Sequence, residues 1–411
     1  MIQKVKLYKN NDMHKGDYMT AVEKQRLNEC GPAVTYGGSD NSNAIKAAQE
    51  LYQSLAMERP ACVVFFCCVD YDREELGDSL AELFGEIPVL GCTTAGEISP
   101  MGLAPGSITG FCLSADHFVV ETTLLKNLAT FSERGAYDTV KEMMQRLESR
   151  TIAPMAYNSF ALSLLDGMSI REELVLSALN EALSGIPLVG GSAGDNLHFR
   201  DTHVYYDKQF FSNAAAIILV NTTCPFSVLS GHHLVAEKEK MVVTKADPAK
   251  RIAHELNAEP AALEYCRVMD ISLDELNSES YALHPLSVQV GENFFARSIQ
   301  QVNDDMSLTF FCAIDTGIVL TKMRDGGLVA EFERRMEEVV AEIGEPQLVV
   351  GYDCIHRRIE AEEKGIYEEL SALYQRYKVV GFNTYGEHCD AMHVNHTFTG
   401  VVIGEASAFS A

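Results

Sequence analysis

Three groups of residues in this 411-residue chain have types and spacings that could do chemistry. Gly190-Gly-Ser192-Ala-Gly194 fits Gly-x-Ser-x-Gly, the nucleophile elbow that presents a serine hydroxyl on a sharp strand-to-helix turn. The helix is missing. Asp195-Asn-Leu-His-Phe-Arg-Asp-Thr-His-Val-Tyr-Tyr reads as loop and strand, and no histidine is placed by the sequence to act as base. The segment is therefore read as a glycine turn lined by N–H groups and hydroxyls, and the chain as not an enzyme. In the second group, Glu97, Asp195 and Glu387 end three glycine-rich loops, with Thr93, Ser192 and Asn383 just before them. These six can converge on a polar ligand, or they can satisfy the N–H groups of their own loops. The third group is histidine. His388-x4-His393-x2-His396, with Cys389 among them, has the spacing of a three-histidine metal site but brings no identified carboxylate. Histidines in an Asn-His-Thr turn serve structure as readily. His232-His233 is the other cluster. Adjacent residues of a strand point to opposite faces, so at most one of the pair can ligate a given metal.

The elements that must position these groups repeat. Ile87-Pro-Val-Leu-Gly91, Ile186-Pro-Leu-Val-Gly190 and Tyr377-Lys-Val-Val-Gly381 each run into a polar glycine loop followed by another apolar run. Gly91 to Gly110 and Gly381 to Gly400 are both intervals of 19 residues. Upstream, Ala61 to Asp70, Ser159 to Asp166 and Gln347 to Asp353 are apolar runs ending on aspartate, as expected of strands buried on both faces. Helical patterns follow, opening Arg73-Glu-Glu-Leu, Arg171-Glu-Glu-Leu and Arg357-Arg-Ile, the last continuing as a charged helix to about Tyr377. Strand, helix, strand, glycine loop, strand is thus used three times. The fold class expected is α/β, with mixed sheets and flanking helices.

Composition narrows the function. A formal charge of −25 argues against nucleic acid and against an anionic membrane surface. No run approaches 18 apolar residues and Met1-Ile-Gln-Lys-Val-Lys lacks the core of a signal peptide, so a cytoplasmic location is expected. Most of the 11 cysteines sit inside apolar strands, and no Cys-x-x-Cys occurs, which leaves reduced, core-filling thiols.

Residues 1–40 read as an arm or edge element, and Asn41 or Asn43 as the cap of a helix to about Met57. A second amphipathic helix is expected over Ser132 to Ser149. From about residue 226 the texture changes to short strand candidates, with helix openings at Asp247-Pro and Pro260-Ala and a charged helix over Leu328 to Ile343. Domains are expected at 41–235 and 236–411.

Ile87-Pro-Val-Leu-Gly-Cys-Thr-Thr-Ala-Gly-Glu, Val189-Gly-Gly-Ser-Ala-Gly-Asp, Val242-Val-Thr-Lys-Ala, Val380-Gly-Phe-Asn-Thr-Tyr-Gly-Glu and His393-Val-Asn-His-Thr-Phe-Thr resemble the bacterial FIST proteins over roughly residues 45–405. The resemblance implies two FIST-like domains and a sensory, non-catalytic role toward a small ligand. Within the family the chain resembles the stand-alone NosP branch. That branch implies a haem cofactor, nitric oxide as signal and a histidine kinase or cyclic-di-GMP enzyme as partner, with room for a homo-oligomer. Under that reading His232 or His233 is the axial ligand and metal-binding residue, near the domain junction with Leu229, Leu234 and Val235 as apolar wall; His393 and His396 are the reserves. The alternative is a haem-free module for an amino acid or other small polar ligand.

Overall fold

The computed structural model describes residues 31–405. Three six-stranded sheets are built to one plan, and each is longer than the sequence repeat. In the first, edge strand Val34–Ser39 and helix Ala44–Ser54, capped by Asn43, precede strand Pro60–Cys67, helix Arg73–Phe84, strand Val89–Thr93 and return strand Ile108–Ser114. The second runs Phe118–Lys126, helix Glu133–Glu148, Ser159–Leu165, helix Glu172–Leu183, Leu188–Ser192 and Ala214–Thr222. The third runs Phe226–Gly231, helix Leu328–Ile343, Pro346–Cys354, two helices at Ile355–Glu363 and Tyr367–Arg376, then Val379–Thr384 and Phe398–Gly404. In every sheet the central strand is parallel to the one before the glycine loop and antiparallel to the return strand. The fold is mixed α/β, as expected.

Alternation along the central strands explains how the sheets meet. Val64 and Phe66, Leu162 and Leu164, and Val350 and Tyr352 belong to one shared core, whereas Val63 and Phe65, Ala161 and Leu165, and Val349 face separate helix-covered clusters. Side chains two apart share a face, so each sheet contributes one face to the common centre and lays its helices on the other. Phe66 and Phe382, from different sheets, lie 4.8 Å apart at that centre.

The sixth-strand edges are exchanged in a ring. The loop after each glycine strand forms a hairpin that joins the next sheet. Glu97–Ser99 pairs with Val379–Thr384 of the third sheet, Val204–Tyr206 with Val89–Thr93 of the first, and Glu387–Cys389 with Leu188–Ser192 of the second. An edge strand left open would expose a row of unpaired backbone groups, and the exchange covers it.

Residues 234–325 form the fourth, antiparallel sheet with its own core around Met241, Tyr265 and Leu308, inserted between the edge strand and first helix of the third unit. Here some sequence expectations fail. Asp247-Pro opens only a short turn, Pro248–Lys250, and Ile252–Leu256 is a strand laddered to residues 243–247 on one side and 308–309 on the other, with an irregular register between Ala253 and Leu256. Asn293–Ala296 and Ile299–Val302 are two short strands, as the texture there suggests. The charged helix before Tyr377 breaks at Gly365, whose φ is +66°. Of the expected arm, Val34–Ser39 is an edge strand and residues 1–30 lie outside the described residues. Among the described residues, no helix is long and apolar enough to cross a membrane.

Candidate functional site

The three glycine loops leave their sheets at one register. Cys67 pairs with Thr93, Leu165 with Ser192 and Asp353 with Asn383, so Thr93, Ser192 and Asn383 hold equivalent positions. Beyond them the loops hydrogen-bond to one another. Ala95 N–H donates to Asn383 O at 3.0 Å, Asn383 N–H to Gly96 O at 2.7 Å, Gly194 N–H to Thr93 O at 3.1 Å and Ser192 N–H to Gly386 O at 2.9 Å. Gly194 is fixed by this approach: a Cβ there would stand 2.6 Å from Ala95 N.

The loop acids do not converge on one point. Glu97 accepts from the Thr94 hydroxyl and, at 2.9 Å, from Ser107 N–H. Glu387 accepts from the Thr384 hydroxyl and from Thr397 through N–H at 3.1 Å and Oγ1 at 2.6 Å. Burial pushes Glu97 up to about 7 and Glu387 up to about 8, against the pull of those donors. Asp195 caps its own loop, taking Phe199, Arg200 and Asp201 N–H at 2.9, 2.6 and 2.9 Å and the Tyr385 hydroxyl. Burial opposes its charge, yet these donors hold its carboxyl below the usual range. Thr93 Oγ1 accepts from His203 N–H at 3.0 Å. Asn383 donates to Asp353 at 3.4 Å, while its buried Oδ1 has no partner.

One loop borders open space. A hollow of about 190 Å³ is lined by Cys68, Asp70, Thr94, Gly96, Glu97 and Asn196, among others. The aspartates of the three runs differ here. Asp353 is buried against Arg357 and Tyr374, and Asp166 against Met168 N–H and Thr202, whereas Asp70 lies past the end of its strand, exposed at the hollow.

Ser192 has a partner that sequence reasoning missed. The exchanged hairpin brings His388 Nε2 to 3.0 Å from Ser192 Oγ, and Ser163 Oγ lies 2.8 Å from His388 Nδ1. No adjacent motif signals this, because His388 is 196 residues away and arrives from the third unit. Both side chains are buried, no carboxylate orients the ring, and burial drives His388 well below the usual histidine range.

The histidines expected to hold a cofactor do not gather either. His232 and His233 sit in the link between two strands rather than on one. His232 Nε2 meets Phe294 O at 2.9 Å, its Nδ1 accepts from Leu234 N–H at 3.1 Å, and burial pushes it down to about 4. His233 meets Glu360 at 2.8 Å and Arg357 at 3.2 Å. Its ligand atom lies within 4.8 Å of those of Asp325 and Glu360, but Lys364 already bridges these carboxylates at 2.9 and 2.5 Å. The cavity beside His232 is about 10 Å³, room for one water, whereas pockets for larger ligands run to roughly 300–1,000 Å³. His396 lies 5.2 Å from the His356 ring, deep in the core, with neither ring nitrogen partnered. The His388 and His393 rings lie 5.9 Å apart, but His396 packs on His356 instead, so the three-histidine site is not assembled. The residues present at His232, His233, His393 and His396 do not fit a haem. His393 instead approaches Glu173 and Cys312, neither of which its sequence neighbourhood suggests.

A FIST N domain model matches residues 61–259 and a FIST C domain model residues 261–390. The chain belongs to the FIST family. FIST domains are sensory modules that bind small ligands in signalling proteins. The N-domain match covers the first unit from its central strand, the second unit, the third unit's edge strand and the start of the antiparallel sheet; the C-domain match covers the rest of that sheet and most of the remaining third unit. No curated protein matches the chain. Among solved structures it is similar to the cyanuric acid hydrolase of A. caulinodans, with a TM-score of 0.40 and 8% identity over 91% of this chain and 99% of that one. A likeness that distant carries nothing about the chemistry of this FIST protein.

Proposed function

We propose that this FIST protein is a non-catalytic, haem-free sensor whose ligand is a small polar molecule carrying an amine, such as an amino acid, and that it passes ligand occupancy to a histidine kinase or cyclic-di-GMP enzyme. The observation that carries the ligand site is the hollow beside the first glycine loop. It has the volume of about six waters at ~30 Å³ each. Its acidic groups are Asp70 and Glu97, with Asn196 adding a polar contact, and an ammonium group matches that lining by charge and by hydrogen bonding. The hollow touches the ring of loop-to-loop hydrogen bonds through Thr94 and Asn196, so a ligand there is positioned to bias how the three units pack. The family supports the sensory role; the choice of output enzyme rests on the resemblance to the NosP branch.

The experiment is calorimetry with amino acids and small diamines, run beside Asp70→Asn. Saturable binding weakened at least tenfold in the variant supports the reading. Absorbance after haem supplementation supplies the opposing arm. A Soret band that shifts with nitric oxide, with no amine binding, would replace this reading by the haem-based nitric oxide sensor.

A further inference from the structure

We infer that Glu173, Cys312 and His393 bind one Zn²⁺, forming a metal clasp between three separate parts of the chain. Glu173 stands in the first turn of the second unit's helix, Cys312 follows strand Leu308–Phe310 of the antiparallel sheet, and His393 lies on the hairpin that the third unit lends to the second. One donor atom from each lies within 4.8 Å of the other two. Glu173 Oε1 and His393 Nδ1 are already 3.4 Å apart, about the separation that zinc bonds of 2.0–2.3 Å set between two donors. A thiolate, an imidazole and a carboxylate together suit a borderline-soft ion, and zinc takes this mixture tetrahedrally.

Observations outside the triad point to the same place. Glu172 Oε1 is buried and has no hydrogen-bond partner, although its other oxygen is held by Arg251 at 2.6 Å. Glu172 adjoins Glu173 in the helix and adds negative charge beside the triad, and a solvent water completes the four ligands of the zinc. The His393 nitrogen that faces the triad is Nδ1, 3.4 Å from Glu173 Oε1. Glu173 is oriented from outside, its Oε2 held by Arg251 and its Oε1 by Ala313 N–H at 2.8 Å, which leaves a lone pair of Oε1 for the ion; the Cys312 thiol donates to Asn395 Oδ1 at 2.8 Å and gives up that bond when it ionises. Such supporting contacts fix ligand geometry in metal sites. Charge is balanced as well. A thiolate, the two glutamates, Arg251 and Zn²⁺ sum to zero around a neutral imidazole. On binding, the S–H bond of Cys312 breaks, its proton passes to solvent and its electron pair forms the Zn–S bond. The Glu173 side chain is 34% exposed, which gives the ion a way in.

The test uses the purified full chain, stripped with a chelator and titrated with Co²⁺ and then Zn²⁺ against a chromophoric competitor. One equivalent is expected, with an intense near-ultraviolet thiolate-to-cobalt band and the visible bands of a tetrahedral ion, all displaced by Zn²⁺. Cys312→Ser should remove the thiolate band. Glu173→Gln, a milder change at a partly exposed position, should weaken Zn²⁺ at least tenfold while circular dichroism stays unchanged, and it decides the matter where Cys312→Ser fails to fold. Absence of stoichiometric uptake, a thiolate band that survives in Cys312→Ser, or full affinity in Glu173→Gln would each overturn the site.

Discussion

The first and third glycine loops carry the same hydrogen-bonding device, yet only the third is closed. In both, a threonine accepts from the glycine N–H two residues on, at 3.1 Å, and donates to a glutamate, Thr94 to Glu97 and Thr384 to Glu387. In both, the glutamate's other oxygen holds the residue that begins the return to the sheet. Thr397 gives Glu387 both its N–H and its hydroxyl, whereas Ser107 gives Glu97 only its N–H and leaves its buried hydroxyl without a partner. The aspartates repeat the contrast, Asp353 locked to Arg357 and Asp70 open at the hollow. The repeated device is thus a structural part, and the two copies differ in whether the glutamate and the aspartate beside it are fully engaged.

That contrast is broken or sharpened most strongly by removing the two glutamates. Glu387→Ala strands three buried donors, and at about 1–3 kcal/mol for a buried unsatisfied group the loss should exceed ~3 kcal/mol. Glu97→Ala strands fewer donors, next to a hollow that admits water, and should cost about 1–2 kcal/mol. Urea denaturation of both variants is the measurement. Equal losses, or a larger one at Glu97, would end the distinction between an open and a closed loop.

Sequence reading reached the repeat, because strand-glycine-loop patterns are local and the buried strands are continuous apolar runs. It grouped Thr93, Ser192 and Asn383 as residues of the three loops, and the strand pairing places them at one register. It did not reach the hairpin exchange, since nothing in Glu387-His-Cys says that this strand adds to a sheet built from residues nearly 200 positions earlier. His388 beside Ser192 and His393 beside Glu173 follow from that exchange and were hidden with it. The misread at Asp247-Pro has a different cause. Proline in a first turn is a good local signal for a helix, and Ala253 and Leu256 even keep a helical spacing, but pairing with strands on both sides, one of them far away in sequence, makes the segment a strand.

The next effect in size is pH dependence. Glu97 and Glu387 titrate in the folded chain near 7 and 8 but near the ordinary 4.5 when unfolded. Between these values the folded state holds more protons, so both groups lower stability as pH rises from about 4.5 to about 8. The fall attributable to Glu97 ends near pH 7 and is at most about 3 kcal/mol, with 1.36 kcal/mol for each unit of pKa difference. His232 and His356, held near 4 by burial, act oppositely and cost stability as pH drops from 6.5 toward 4. Between about 4.5 and 6.5 the two pairs offset one another, so these groups leave stability level there and lower it above about 6.5. Glu97→Gln should flatten the slope up to pH 7 and leave the segment between 7 and 8, which Glu387→Gln should remove. A slope between pH 5 and 8 unchanged in both variants would show that these carboxyls are ionised throughout.

The smallest effect separates the loops most cleanly, because it changes only one hydroxyl in each. Thr397→Val keeps the shape of the side chain and removes its 2.6 Å bond to Glu387, which should cost about 1–1.5 kcal/mol, the usual net worth of a buried hydrogen bond. Ser107→Ala removes a hydroxyl that has no partner, and should fall within about 0.5 kcal/mol of the parent or stabilise it, since a buried unsatisfied group is lost. Chemical denaturation at one pH reads both. The pair becomes more informative when repeated with saturating amine ligand. Ser107 follows Pro105 and Gly106, which line the hollow, so a ligand that recruits the spare hydroxyl should make Ser107→Ala weaken binding several-fold while leaving the empty protein unaffected. Thr397→Val should do the reverse, lowering stability without touching affinity. If the serine variant instead destabilises the empty protein as much as the threonine variant does, its hydroxyl already has a bound water as partner, and the first loop is as closed as the third.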